Sequence, residues 1–408
     1  MLYATILALR LQGVLFSEQH GNPLAPAGTV IKRSTPAPQA VMTKPGHRLS
    51  WMAQALIGAG VFFICSLPPI YASGPPWKFT TAEGNASVSF GFLAQPQFES
   101  LENSAGTGNA NNLFLRRLRL IAGGKVGSKL SFFIDSDSPN LGKRREDGER
   151  ISEFFVQDAI LSYAFRPEFT LDGGMLLIPV SHNSGQSAAS LLPIDYGPYS
   201  FLASEPTCSK VGRDYGLQAR GYIKKHFEYR LGVFRGDTDT DAGFPYRTLA
   251  RFVWYPLEAD TGFFYAGTTH GQKRIIGIGA SFDRQAHYTA NAVDLFIDLP
   301  LRSGDAVTVQ TDFIRYDGAT TFPCLPKQNA WLLEGSYYLR KPKLAPFVQY
   351  ASRDYTHPDS SDDSRIQGGL AYWILGHKLN IKAGIGRIFK NGAADRTQFV
   401  IQTQLFYY

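Results

Sequence analysis

The chain has 408 residues, 44% of them hydrophobic, with 40 glycines, 20 tyrosines and a formal net charge of +7. Arg10, Lys32, Arg33, Lys44 and Arg48 against Glu18 lie in the first 72 residues, so the remainder carries 36 basic and 33 acidic side chains, or +3. Those positives are scattered rather than striped, which gives no basis for expecting a nucleic-acid partner, and Cys65, Cys208 and Cys324 are too few for a disulfide framework.

Residues 44–72 have the three parts of a secretory signal. Lys44, His47 and Arg48 form a basic start, the apolar core runs from Trp51 to Leu67, and Pro68 and Pro69 break it ahead of the small residues Ala72 and Ser73. A signal normally opens a chain, whereas here residues 1–41 precede Met42. We therefore read 1–41 as a non-native or over-called extension, 42–72 as the signal and 73–84 as a short periplasmic segment. The other reading of the same apolar run is an N-terminal membrane anchor; its length is near the lower limit for a spanning helix.

From residue 85 onward the pattern is one of strands with partial period-2 alternation. They are expected at 86–98, 113–123, 129–138, 153–164, 169–178, 213–223, 227–235, 248–256, 275–284, 291–299, 306–316, 328–339, 344–353, 365–374, 379–388 and 397–408. Short connections (123–127, 166–168, 224–226, 300–304, 340–343 and 375–377) alternate with longer polar ones (99–112, 139–152, 179–212, 236–247, 354–364 and 389–396). Short turns on one side and long loops on the other, around weak repeated strands, are the signature of a transmembrane antiparallel β-barrel. Thr261 to Thr268 also has a strand's composition, but counting it breaks the alternation and makes the number odd. Residues 257–274 are therefore read as a long periplasmic-side connection. The fold class is all-β, a barrel of about 16 strands spanning 85–408, with 18 still open.

Alternation assigns the faces. Leu217, Ala219, Gly221 and Ile223 suit lipid, with Asp214, Gln218 and Arg220 in the lumen. Val307, Val309 and Phe313 point out against Thr308, Gln310 and Asp312, and Phe399, Ile401, Leu405 and Tyr407 against Gln398, Gln402 and Gln404. A soluble sandwich would alternate identically with the placement reversed, so periodicity alone does not separate the two.

Function should reside in the 179–212 loop, too long to be a plain connection. Its apolar patches, Leu191 to Ile194 and Tyr196 to Phe201, require packing against something, either the inner wall or an outer flap. Basic residues gather nearby: Arg117 and Arg119 on a lumen-facing strand surface, then Lys210, Arg213, Arg220 and Arg251. Arg116 shares a face with Leu118 and Leu120, which places it toward lipid with its head snorkelling to the interface. Arginines around an aperture favour anions, while Arg–carboxylate pairs along a wide wall are ordinary structure; Glu153, Asp158, Asp214, Glu228, Asp294 and Asp298 supply the partners for that reading. Ser181 and His182 are constriction candidates; with Asp195 they also have the residue types of a nucleophile relay, but nothing in the sequence sets their geometry. No metal-ligand spacing occurs, so neither an enzyme nor a cofactor is expected.

Three stretches resemble the phosphate-selective porin O/P family: Phe114 to Leu120 followed by Gly124 and the Ser131 to Asp135 strand, Gly173 to Val180, and Val211 to Gly221. The resemblance implies a 16-stranded barrel, commonly a homotrimer, that passes small anions across the outer membrane of a Gram-negative-type bacterium, in contact with lipid and lipopolysaccharide. It implies that 179–212 folds inward and that Arg117, Arg119, Arg213 and Arg220 are wall or pore residues. The loop departs from the family pattern, having Ser181 to Ser184 and Glu205 to Cys208 in place of the acidic–serine and Arg-Ser elements. The alternative is a structural barrel sheathing a periplasmic partner such as a multihaem cytochrome.

Overall fold

The computed structural model describes residues 77–145, 147–200, 212–236, 246–356 and 361–408. The expected extension and signal, Lys210, Cys208 and the 237–241 aspartate run lie outside the described residues. The strands in chain order are β1 (Trp77–Thr80), β2 (Ala86–Glu102), β3 (Asn109–Val126), β4 (Leu130–Asp137), β5 (Phe155–Arg166), β6 (Phe169–Leu177), β7 (Arg213–Ile223), β8 (Phe227–Phe234), β9 (Arg247–Trp254), β10 (Ile275–Gln285), β11 (Tyr288–Pro300), β12 (Ala306–Asp317), β13 (Gln328–Tyr338), β14 (Leu344–Tyr355), β15 (Asp363–Tyr372), β16 (Ile374–His377), β17 (Leu379–Lys390) and β18 (Arg396–Tyr407).

Each long strand pairs antiparallel with its sequence neighbour, β15 passing to β17 because the four-residue β16 lies within the turn between them. The seam between β18 and β2, from Gln398 opposite Leu101 to Tyr407 opposite Phe92, closes the sheet into a ring of 16. The short β1 pairs with Ser87–Phe90 of β2 and continues the lane of β18 beyond its last residue. We call the rim bearing Ala86 and Tyr407 the lower rim.

The burial pattern separates the membrane barrel from the sandwich. Leu113, Leu217, Phe252, Val293, Leu333 and Ile385 are half or more exposed on the outer face. Asp158, Asp172, Arg230, Arg247, Arg251, Asp283 and Glu334 are fully buried on the inner one. Apolar outside and charged inside is the arrangement a lipid solvent selects.

Two expectations are corrected. Residues 99–112 are mostly strand, since β2 and β3 stay paired up to Glu102 opposite Asn109 and leave a connection of only 103–108. Arg116 faces the lumen, and its cause lies on the neighbouring strand. Pro96 has no N–H for the ladder, and the register slips there from Ala94 opposite Leu118 to Pro96 opposite Leu115. That bulge puts an extra residue into β3 and turns both Arg116 and Arg117 inward. A further asymmetry lies at the upper rim, where β10 and β11 are joined by only Ala286 and His287.

Val293 is 56% exposed at mid-strand on β11. Val293→Arg should lower stability by about 2–4 kcal/mol in denaturant titrations of the barrel in lipid vesicles. A near-zero change would instead describe a residue facing water.

Candidate functional site

Beyond β6 the chain turns into the barrel. Ile178, Val180, Leu191, Leu192 and Ile194 are almost completely buried, and Ile194 packs with Ala345, Phe347, Trp373 and Val400 of the inner wall. The described apolar residues of the loop thus cover themselves against the barrel wall, the first of the two placements the sequence left open and the one the family resemblance implies. Polar wall groups fix the loop's depth. The Asn183 N–H donates to Asp312 Oδ2 at 3.1 Å, Gln186 Nε2 to Gln310 Oε1 at 2.6 Å and Gln404 Nε2 to the Ala189 carbonyl at 2.8 Å. Lys382 Nζ donates to the carbonyls of Leu191 and Pro193 at 2.6 and 2.7 Å, satisfying two acceptors that water cannot reach.

Ser181 and His182 form the foot of this loop. Ser181 exchanges hydrogen bonds with Ser184 around the short 3-10 turn Asn183–Gly185. The His182 ring is sandwiched between Phe296 and Tyr265, with centroids 4.0 and 4.9 Å away. Its Nε2 donates to the Ala266 carbonyl at 3.0 Å. Burial lowers its pKa from the ordinary 6.5 to about 4, against the attraction of Asp294, so the ring is neutral at neutral pH. Asp195 pairs with Arg116 and Arg117 rather than with His182, so no relay is assembled. Among the described residues no three His, Cys, Asp or Glu side chains gather as a metal site.

A second segment reaches the same place from below. Residues 255–274 join β9 to β10 as a long lower-rim connection, yet they rise into the lumen and pair with the loop. The Tyr265 N–H donates to the Gly185 carbonyl at 2.8 Å, and the Ser187 N–H to the Tyr265 carbonyl at 2.9 Å. Gly267 passes so close to Ser190 that any side chain would strike its carbonyl. The fully buried Tyr265 ring sits 4.5 Å from the Arg230 guanidinium and 5.2 Å from that of Arg251. The sequence held a trace of this: Gly262-Phe-Phe-Tyr-Ala-Gly267 is too apolar for an exposed turn.

The arginine wall is charge-compensated. Arg119 pairs with Asp137 and Asp135 at 3.0 and 3.3 Å, Arg213 with Asp158 at 3.0 Å, Arg220 with Asp172 at 2.7 Å and Arg251 with Asp294 at 2.6 Å. Arg230, of the same basic cluster, pairs with Glu228, and Arg247, which the sequence did not single out, pairs with Asp283. The contact between loop and wall is the exception in kind. Arg116 Nε and Arg117 Nη2 grip the two oxygens of Asp195 at 2.5 and 2.6 Å, Arg117 Nη1 donates to Gln95 Oε1 at 2.9 Å, and the Tyr196 ring lies 5.1 Å from the Arg117 guanidinium. Burial alone would raise the Asp195 pKa; the two guanidiniums more than offset it and hold the carboxyl well below the usual range.

This layer separates two cavities. The upper one, about 240 Å³, is bounded by Gln97, Glu99, Arg116, Lys143, Ile194, Asp195 and Arg365. The lower one, about 130 Å³, is bounded by Leu93, Arg119, Asp135, Ser187, Arg213 and Phe264. Gln95 and Arg117 occupy the intervening positions on β2 and β3. Neither Ser181 nor His182 lines either space. Protonation of His182 is disfavoured where it sits, so its anchoring contribution is complete above pH 6.5 and declines as pH falls toward 4. Acidification through that window should make the loop more susceptible to limited proteolysis, and His182→Phe, which keeps the stacking and cannot be protonated, should remove the part of the transition due to this ring.

A comparison with curated proteins finds no match. Among solved structures the fold is similar to an anion-selective porin from Comamonas acidovorans (TM-score 0.54, 13% identity, covering 79% of this chain and 100% of that one). It is also similar to the outer-membrane channel DcaP of Acinetobacter baumannii (TM-score 0.52, 11% identity, 81% and 99%) and to OmpT of Vibrio cholerae (TM-score 0.51, 11% identity, 81% and 100%). At these identities the likeness is one of fold. The family model for phosphate-selective porin O and P matches residues 90–294, from the strand before the arginine cluster to β11, and the chain belongs to that family.

Proposed function

We propose that this protein is a passive outer-membrane pore for small solutes with a preference for anions, phosphate included, and that solutes move along the inner face of β2 and β3. The observation that carries the reading is the pair of cavities stacked along those strands, the upper one polar and the lower one mostly apolar with Arg119, Asp135 and Arg213 in its wall, divided by the Gln95–Arg117–Asp195 layer. In this reading the lower rim is periplasmic and residues 42–72 are removed on export. Arg116, Arg117 and Arg365 face the path, while Arg119 and Arg213 border its lower half. Lys210 belongs to the same loop and would add to the field there. The homotrimer is part of the proposal, as is contact of the outer wall with lipid and lipopolysaccharide. A barrel that sheaths a cytochrome needs an empty lumen; here residues 178–200 and 255–274 of the chain itself occupy it, which supports the small-solute reading.

Preference for anions depends on how much of the Arg116–Arg117 charge Asp195 cancels. In planar bilayers under a KCl gradient, the purified barrel should give a reversal potential favouring chloride. Removing one unit charge about 6 Å from the path in a medium of dielectric constant about 80 alters ion occupancy roughly threefold. The charge acts oppositely on the two ions, so Asp195→Asn should raise the chloride-to-potassium permeability ratio by the square of that factor, about tenfold, and Arg117→Gln should lower it. A wild-type potential favouring potassium would reject the anion preference.

A further inference from the structure

The outer wall carries a hollow that the strand pairing explains. One cross-strand row runs Tyr229, Phe252, Ala280, Val293, Phe313, Trp331 from β8 to β13. Its middle members are small and its outer members aromatic, so a furrow opens over β10 and β11 between aromatic banks. These residues line an almost wholly apolar space of about 690 Å³, and the Phe313 and Trp331 rings on one bank stand 4.3 Å apart. A water takes about 30 Å³ and a methylene nearly the same, so the space suits roughly two dozen carbons, the bulk of two acyl chains.

A charged belt lies above the furrow. Phe227 opens β8 at the lower rim, whereas its row partners Ile278, Leu295 and Thr311 stand well above the lower ends of their strands at Ile275, Pro300 and Ala306. Rows therefore climb from β8 to β12, and a line of constant height steps down them. Arg235 is two residues above Val233, whose row passes through Thr248 to Arg284. Arg315 is two residues below Asp317, whose row passes through Thr289 to the same Arg284. The three arginines thus lie at nearly one height in the lanes of β8, β10 and β12, and all are exposed. With strands about 4.8 Å apart and about 3.4 Å per residue, Arg284 and Arg315 are about 12 Å apart along the wall, within reach of one doubly phosphorylated headgroup. None of the three makes an ion pair or side-chain hydrogen bond among the described residues. The nearest carboxylate, Asp317, is taken by Lys327 at 3.0 Å, and Asp354, in the row of Arg315 on β14, bounds the patch. Arg315 stands two residues above Phe313, at the upper end of the furrow.

We propose that furrow and belt form one binding site for the lipid A moiety of lipopolysaccharide. Its acyl chains fill the furrow, and its phosphates accept hydrogen bonds from Arg284 and Arg315 with Arg235 beside them. A planar guanidinium suits phosphate because it donates two parallel bonds, and the aromatic banks confine the chains below. This places the lipopolysaccharide contact proposed above on named residues, and it rests on the upper rim facing outward from the cell.

Native mass spectrometry of the purified protein in detergent counts bound lipid and subunits together. The probes are hexa-acylated lipid A, the same lipid stripped of its phosphates, and phosphatidylglycerol. Lipid A should bind more tightly than either of the others. One basic residue at an anionic lipid surface is worth a factor of about five. Arg284→Gln and Arg315→Gln should each weaken lipid A by about that factor, and the pair by about twenty-five. Ala280→Trp, which fills the furrow from the lipid side, should weaken lipid A and its dephosphorylated form alike. Equal binding of lipid A and phosphatidylglycerol, or lipid A binding indifferent to these substitutions, would overturn the site. So would loss of subunits in the Ala280→Trp protein with lipid binding unchanged, which would give the furrow to a neighbouring copy. Ser104→Cys, in the exposed upper-rim connection 103–108, tests the orientation separately. A membrane-impermeant maleimide should label it on intact cells above the level of the parent protein. Failure to label would bring down the outward orientation and this site with it, whereas labelling without a lipid A preference would bring down the site alone.

Discussion

A backbone amide in hydrocarbon has no water to bond, so a sheet that crosses a membrane must leave no edge. The β18–β2 seam meets that requirement, and most other features follow from it. Once the ring is closed, every strand has one face in lipid and one in the lumen. The outward residues become Leu, Val, Phe and Trp, and the inward ones are free to be charged. The charged residues then answer to one another: Arg119 and Arg247 each face a carboxylate on the adjoining strand, and Arg213 and Arg251 each face one on the strand beyond it. An unpaired charge at such depth would be costly, whereas a pair held by several hydrogen bonds is tolerated.

The contact between loop and wall is of a different character. Arg116 and Arg117 share one carboxylate, and that carboxylate comes from the inward loop rather than from a strand. Field and position are thus set together, because the group that moderates the cluster's charge also pins the loop across the lumen. Lys382 on β17, three strands round the ring from β3, pins the same stretch through the Leu191 and Pro193 carbonyls. Three basic residues, two on β3 and one on β17, thus hold this stretch of the loop.

Much of this was legible in the residues. The 16 strands follow from period-2 alternation and from the need for an even number, and the packing of the loop against some surface follows from apolar patches that water would not accept. Lumen assignments such as Gln218, Gln310 and Gln402 needed only parity. Arg116 was illegible because its orientation is decided by Pro96, a residue on another strand whose register is invisible along β3 alone. The rise of residues 255–274 was missed for a related reason: parity places a connection on a rim but does not say into which side it folds.

The loop's attachments also bear on how the molecule is built. Its foot and body are held by Gln310, Asp312, Gln349, Lys382 and Gln404, all far downstream in the chain, and Gln95 meets Gln404 across 309 residues. Contacts of such long range are slow to form. The segment that narrows the lumen is synthesised before most of the wall that secures it, so it must be carried along as the later strands wrap around it. Locking the loop and sealing the cylinder are then one late, cooperative event, and a chain lacking its final strands would lose both at once.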